Sequence, residues 1–238
     1  MKASKKATLW VLSLLAVLAL STVSALAAPI QLTGAGNVTF GGSPSGGNTS
    51  TFSGQPGAIT ATNGTGASTI TYTSKANEMN VFLNPGDPAT NVTLGVFNIT
   101  STAPAMTPLL GGPNFAGATV TLAVSFSVPN DVAAQNFNGL LTGTITQGAS
   151  GASVQWSSTS LTFVSATAGT FKLTIESSTP INAPSSPDAS RVRGSLQLLS
   201  GPVSAAVPEP ASLVLLGSGL LGLTAAARRR GKRKAEQN

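Results

Sequence analysis

The sequence predicts an all-β protein, an antiparallel β-sandwich of roughly ten short strands, flanked by an N-terminal signal helix and a C-terminal transmembrane helix. Three observations lead there. Apolar residues alternate with small polar ones in many short runs through the middle of the chain. Clusters of Gly, Pro, Asn and Asp separate those runs. Outside the two end segments, no ten-residue amphipathic helical pattern competes with them. A length of 238 residues suits one domain between two terminal signals. The expected division is 1–27 as a signal peptide, 28–203 as the sandwich and 204–234 as a C-terminal signal.

At the N-terminus, Lys2, Lys5 and Lys6 precede the apolar run Ala7 to Leu20, and small residues follow up to Ala28. A charged start, a short apolar core and an A-x-A site are the parts of a secretory signal peptide. Ala25 and Ala27 supply the small residues at the cut. Cleavage after Ala27 leaves Ala28 as the first mature residue, and a signal peptidase is the implied partner.

The clearest strand is Val120, Leu122, Val124, Phe126 and Val128, alternating with Thr121, Ala123, Ser125 and Ser127. Phe171, Leu173 and Ile175 alternate with Lys172, Thr174 and Glu176 in the same way. Further runs lie at 37–40, 69–74, 79–83, 92–99, 140–146, 152–157, 160–165 and 190–199. Within 92–99 the apolar parity switches from Val92, Leu94 and Val96 to Phe97 and Ile99, which predicts a bulge near Gly95. Turns are expected at Asn84–Pro88, Gly111–Asn114, Pro129–Asp131 and Gly148–Gly151. The stretch 41–68, rich in Gly, Ser, Thr and Asn, reads as a long loop or an edge. Short strands with frequent turns point to a sandwich, and no repeat of fixed period suggests a solenoid or propeller.

The body offers little chemistry. The chain has no Cys and no His, which removes disulfides, thiol nucleophiles, imidazole bases and Cys/His metal sites. Neither lysine of the body lies three residues after a serine, and no Asp-x-Asp-x-Asp-Gly calcium loop is present. Glu78 and Glu176 are the carboxyls that could converge as a glycosidase pair, but Glu176 falls on the polar face of its strand. Asp87 and Asp131 fall in turns, where Asp bonds local backbone. The expectation is a protein that is not an enzyme, with no catalytic residue, no cofactor and no metal.

The net charge of +6 sits at the chain ends. Between residues 28 and 207, Lys75, Lys172, Arg191 and Arg193 face five acids, Glu78, Asp87, Asp131, Glu176 and Asp188. A nucleic-acid binder needs positive charge along a binding face, so no nucleic acid is expected. Sugars stack on exposed aromatics, and only Tyr72 and Trp156 are offered. Trp156 shares the parity of Val154 and points to the core. Arg191 and Arg193 share a strand face, where they could grip an anionic polymer or protect an edge strand from aggregation. Asn-x-Ser/Thr acceptors occur at Asn37, Asn48, Asn63, Asn91 and Asn98.

The C-terminus carries the most specific pattern. Val207-Pro208-Glu209-Pro210 leads into the uncharged segment 211–227, 17 residues long and about 26 Å as a helix. Arg228, Arg229, Arg230, Lys232, Arg233 and Lys234 follow as a basic stop that stays cytoplasmic, so the body faces outward. Gly217, Gly219 and Gly222 keep the segment slender, and Ser218 and Gly222 have a small-xxx-small spacing. Each proline fixes φ and removes an N–H, which presents Glu209 on a stiff extended stalk.

These residues, in this order, resemble the PEP-CTERM sorting signal of exported proteins in Gram-negative bacteria. The resemblance implies an exosortase as partner, with Pro208, Glu209 and Pro210 as recognition residues and Val207 before them. It implies a chain held transiently in the inner membrane and cut near the motif, its body then placed on the outer surface or in the extracellular matrix. The Leu-Pro-x-Thr-Gly motif of the Gram-positive signal is lacking. The body is similar to the β-sandwich choice-of-anchor domains found upstream of sorting tails. The expected role is therefore a non-catalytic surface or matrix component in a biofilm context, with exopolysaccharide as a further candidate partner. A polysaccharide-binding module and a permanently membrane-anchored adhesin are the rival readings.

Overall fold

The computed structural model describes residues 28–45, 49–105 and 111–202. Thirteen strands are found among them: β1 (Ile30–Gly42), β2 (Thr51–Gln55), β3 (Ala58–Asn63), β4 (Gly66–Ser74), β5 (Asn80–Leu83), β6 (Thr90–Ser101), β7 (Ala118–Val128), β8 (Gln135–Thr142), β9 (Ala152–Trp156), β10 (Ser160–Ser165), β11 (Gly169–Ile175), β12 (Ser178–Ile181) and β13 (Ser190–Ser200). A single 3-10 turn, Ala76–Met79, links β4 to β5. The strands form two antiparallel sheets, one of six in the order β12-β9-β8-β7-β1-β5, the other of seven in the order β10-β11-β13-β6-β4-β3-β2.

All ten expected strands are present, with shifted ends. The run placed at 140–146 is β8, which starts earlier and stops at Thr142, because Gly143 turns the chain with φ +91°. Three strands were not anticipated. β2 and β3 lie inside the stretch read as a long loop or edge; β2 is an edge, β3 is interior. β12 is a four-residue edge containing Pro180, a residue tolerated there because an edge N–H needs no ladder partner. The expected signal helix and transmembrane helix lie outside the described residues.

Alternation places the core between the sheets. Val120, Leu122 and Val124 of β7 and Phe171, Leu173 and Ile175 of β11 are buried, while the residues between them are partly open. Phe126, Phe163 and Phe171 form one aromatic cluster, with ring centroids 4.9 to 5.3 Å apart.

The bulge expected near Gly95 occurs where Val192 pairs with Gly95 but Arg193 pairs with Thr93, so Leu94 has no partner on β13. The extra residue flips the side-chain parity of β6 and lets both Leu94 and Phe97 point inward. Gly95 is required there. A Cβ at this position would lie 2.2 Å from Cζ and Oη of Tyr72. The Tyr72 ring cannot swing away, since Phe97 packs against it at 5.3 Å and Gly36 of the facing sheet closes over its hydroxyl. Gly95→Ala is expected to destabilise the body by about 1–3 kcal/mol through overpacking. Urea denaturation should also show that Tyr72→Leu, combined with Gly95→Ala, recovers part of the loss.

The register defines one end of the sandwich. β1 enters there with Ile30 opposite Leu83, β7 ends there with Val128 opposite Thr33, and β13 leaves there with Ser200 opposite Thr170. Gly201 lies against Pro85 of the β5–β6 turn. Both ends of the folded body thus emerge from the same end.

Asp131 ties two turns together at that end. Its Oδ1 accepts from Ser165 Oγ at 2.8 Å and its Oδ2 from the Ala166 N–H at 2.7 Å. Most of its partners are therefore in the β10–β11 turn, and its own backbone N–H adds the local bond that the sequence suggested. Asp87 does bond locally, accepting from the N–H and Nδ2 of Asn84. The Ser165 hydrogen bond, aided by the backbone N–H groups, holds the Asp131 carboxyl below its ordinary value. A depressed carboxyl contributes stability above its unfolded pKa of about 4 and loses it as pH falls through the lower folded value. Denaturation midpoints between about pH 5 and pH 2 should therefore fall more steeply for the wild type than for Asp131→Asn.

Candidate functional site

β6, β11 and β13 lie side by side, and alternation turns Thr93, Thr174, Arg193 and Ser195 to the outer face of the seven-stranded sheet. The 3-10 turn brings Glu78 to their edge and β11 runs out at Glu176, so an open groove of about 720 Å³ is lined by both carboxyls and Arg193. A neighbouring depression shares Glu176 and Arg193 and is bounded by Asp188 in the β12–β13 loop. The two glutamates that the sequence allowed to converge do share a groove.

Its electrostatics are those of a solvated surface. Arg191 Nη1 lies 3.5 Å from Glu78 Oε2, with both side chains about 40 % exposed. Such a pair contributes little, because water screens it and two long side chains must be ordered. A carboxyl that acts as a general acid at neutral pH needs a dry, apolar setting, and this groove is open. β13 lies between β11 and β6. Arg191 and Arg193 therefore do not guard an edge strand, which corrects the protective role suggested for them.

The two aromatics that could stack on a sugar are placed inside. Trp156 is buried, and its Nε1–H donates to Thr179 Oγ1 of β12 at 3.0 Å. Tyr72 also points between the sheets, with its hydroxyl buried and without a partner; burial pushes its phenol above the ordinary value. The parity of Ser68 and Ile70, both buried on the same strand, was the signal that placed Tyr72 inward. Of the glycan acceptors, Asn37, Asn91 and Asn98 are exposed, Asn63 Nδ2 is engaged by the Gly111 carbonyl, and Asn48 lies outside the described residues.

Ala28 is exposed and stands two residues before β1. Ala25 and Ala27 lie outside the described residues. So do Val207, Pro208, Glu209 and Pro210, the segment 211–227, and the basic residues Arg228, Arg229, Arg230, Lys232, Arg233 and Lys234. Among the described residues, no helix is long and apolar enough to cross a membrane. The last strand stops at Ser200, so residues 201–207, seven in all, separate it from Pro208.

No curated protein and no solved structure matches the chain. A family model does: residues 206–230 match the PEP-CTERM protein-sorting motif. That span takes in Val207-Pro208-Glu209-Pro210, the apolar segment and the three arginines that follow it. The chain thus joins an all-β body to a PEP-CTERM protein-sorting motif, the mark of an exported protein that is anchored in a membrane before it is cut.

Proposed function

We propose that this chain is a non-catalytic surface or extracellular-matrix protein, delivered by an exosortase that reads Pro208-Glu209-Pro210. Signal peptidase cuts after Ala27. The apolar segment and the basic stop then hold the chain in the inner membrane while the body folds outside it. Cleavage near the motif releases the sandwich to the outer surface, where it serves in a biofilm matrix alongside exopolysaccharide. The observation that carries this reading is the match over residues 206–230. It is supported by the order of the chain, in which the last strand ends at Ser200, seven residues before Pro208. The inward placement of Tyr72 and Trp156 favours a matrix component over a sugar-stacking module.

Mass spectrometry of the C-terminal peptide, taken from cell-surface material, tests the proposal. A mature end near Pro208–Pro210 is expected. An intact end at Asn238 on surface-exposed protein would overturn it in favour of a permanently anchored adhesin.

A further inference from the structure

The outer face of the seven-stranded sheet treats its polar side chains in two ways. On β3, β4 and β6 they bond to one another or to backbone: Thr60 with Thr69 at 2.8 Å, Asn98 Nδ2 with Thr73 Oγ1 at 3.0 Å, and Thr71 Oγ1 with the Asn98 carbonyl at 3.2 Å. Along the groove on β6, β13 and β11 they do not. Thr174, Ser195 and Asn91 stand side by side in one rank, and Glu176, Arg193 and Thr93 in the next. All six line the groove. Among the described residues, none of these six side chains makes a hydrogen bond or an ion pair within the body. Neighbours in a rank are about 4.8 Å apart across the strands, and the ranks are about 6.8 Å apart along them. The groove thus carries a grid of hydrogen-bonding groups whose partners come from water or from a ligand.

Charge says which ligand suits that grid. Glu78, Glu176 and Asp188 line the groove and the depression beside it, against Arg191 and Arg193. Arg191 is paired with Glu78, so a polyanion meets like charges with only Arg193 free to offset them. Hydroxyl groups suit every member of the grid. A carboxylate accepts from them, a guanidinium donates to them, and Thr, Ser and Asn do either. We infer that this groove binds a neutral polysaccharide chain, held by hydrogen bonds to the two ranks and without aromatic stacking. The depression of about 510 Å³ bounded by Asp188 shares Glu176 and Arg193 with the groove of about 720 Å³. The path therefore continues past both residues, which fits a polymer better than a single sugar. Charge-assisted bonds at Glu176 and Arg193 are the strongest of the set. Each bond in an open groove displaces water, so one site is weak, and many copies along one polymer supply the strength.

This inference deepens the matrix role proposed above and rests on it for where the polymer is met, but its test does not pass through sorting. The full chain, in detergent, is applied to an array of neutral hexose oligosaccharides, with polyuronate oligosaccharides and an acidic peptide as the other probes. Retention on neutral chains is expected, stronger for long chains than for single sugars. Arg193→Ala and the isosteric Glu176→Gln should each weaken it about tenfold, the loss of one charge-assisted hydrogen bond. Lys172→Ala, on β11 but outside the groove lining, should leave it unchanged. Unchanged thermal midpoints show that the variants fold. No retention on any neutral oligosaccharide overturns the inference, and so does retention that survives both Arg193→Ala and Glu176→Gln. Preference for the polyuronate or the peptide overturns it in favour of an anionic or a protein partner. All these outcomes leave the mature end near Pro208–Pro210 untouched, and an intact end at Asn238 leaves the array result untouched, so the groove and the sorting reading fail separately.

Discussion

Glu209→Ala is expected to abolish the processed C-terminus and leave the full-length chain in the inner-membrane fraction. Glu209 is the only charged residue between Arg193 and Arg228. A proline on each side restricts the backbone of the Pro-Glu-Pro sequence, which leaves less conformational freedom to lose when an enzyme binds. An interaction with the carboxylate is then the main polar contact open to a recognising enzyme. Removing one partner of a charged, desolvated contact reduces binding far more than removing a neutral one. Glu209→Gln separates shape from charge: it keeps the size of the side chain and is expected to fail as well. A processed end that persists in Glu209→Ala, by mass spectrometry of fractionated cells, would refute recognition through this residue.

Within the body, Phe171→Ala is expected to have the largest effect on stability. Phe171 is fully buried, stacks on Phe163 at 5.3 Å and meets the edge of Phe126 at 4.9 Å. The ring bridges β7 of one sheet to β10 and β11 of the other. Loss of a buried phenylalanine typically costs about 3–5 kcal/mol, since the cavity only partly collapses. That is a large part of the roughly 5–15 kcal/mol that holds an average domain together. Thermal denaturation should show a midpoint about 10 °C lower. Val164→Ala, one residue from Phe163 but pointing outward, is expected to change stability by no more than about 0.5 kcal/mol.

Periodicity made most of the fold legible, and its failures have physical causes. β7 and β11 alternate cleanly because one face is buried and the other solvated, so the pattern marks both existence and register. β2 presents no fully buried side chain and β3 only Ile59 and Ala61. Their pairing rests on backbone hydrogen bonds and on hydroxyl contacts such as Thr60 with Thr69 at 2.8 Å, which leave no apolar trace in the sequence. β12 buries only Thr179 and Ile181, too few for a period to show. The exposed Phe82, Val164 and Leu199 are each half of an adjacent apolar pair within a strand, Phe82-Leu83, Phe163-Val164 and Leu198-Leu199. In a strand, one member of each pair must face out.

The sequence alone carried the sorting motif of residues 206–230, because such a motif is a linear pattern whose meaning lies in order and charge. It determined the all-β class as well, through a period of two that no helix shares. Pairing between distant segments was decided only in three dimensions. That β13 is interior, that Glu78 and Glu176 share a groove, and that Asp131 serves a turn more than thirty residues away follow from which strands become neighbours. A strand's own residues record which of its faces is buried; they do not record which strand lies beside it, since antiparallel ladders are made by backbone groups common to every residue.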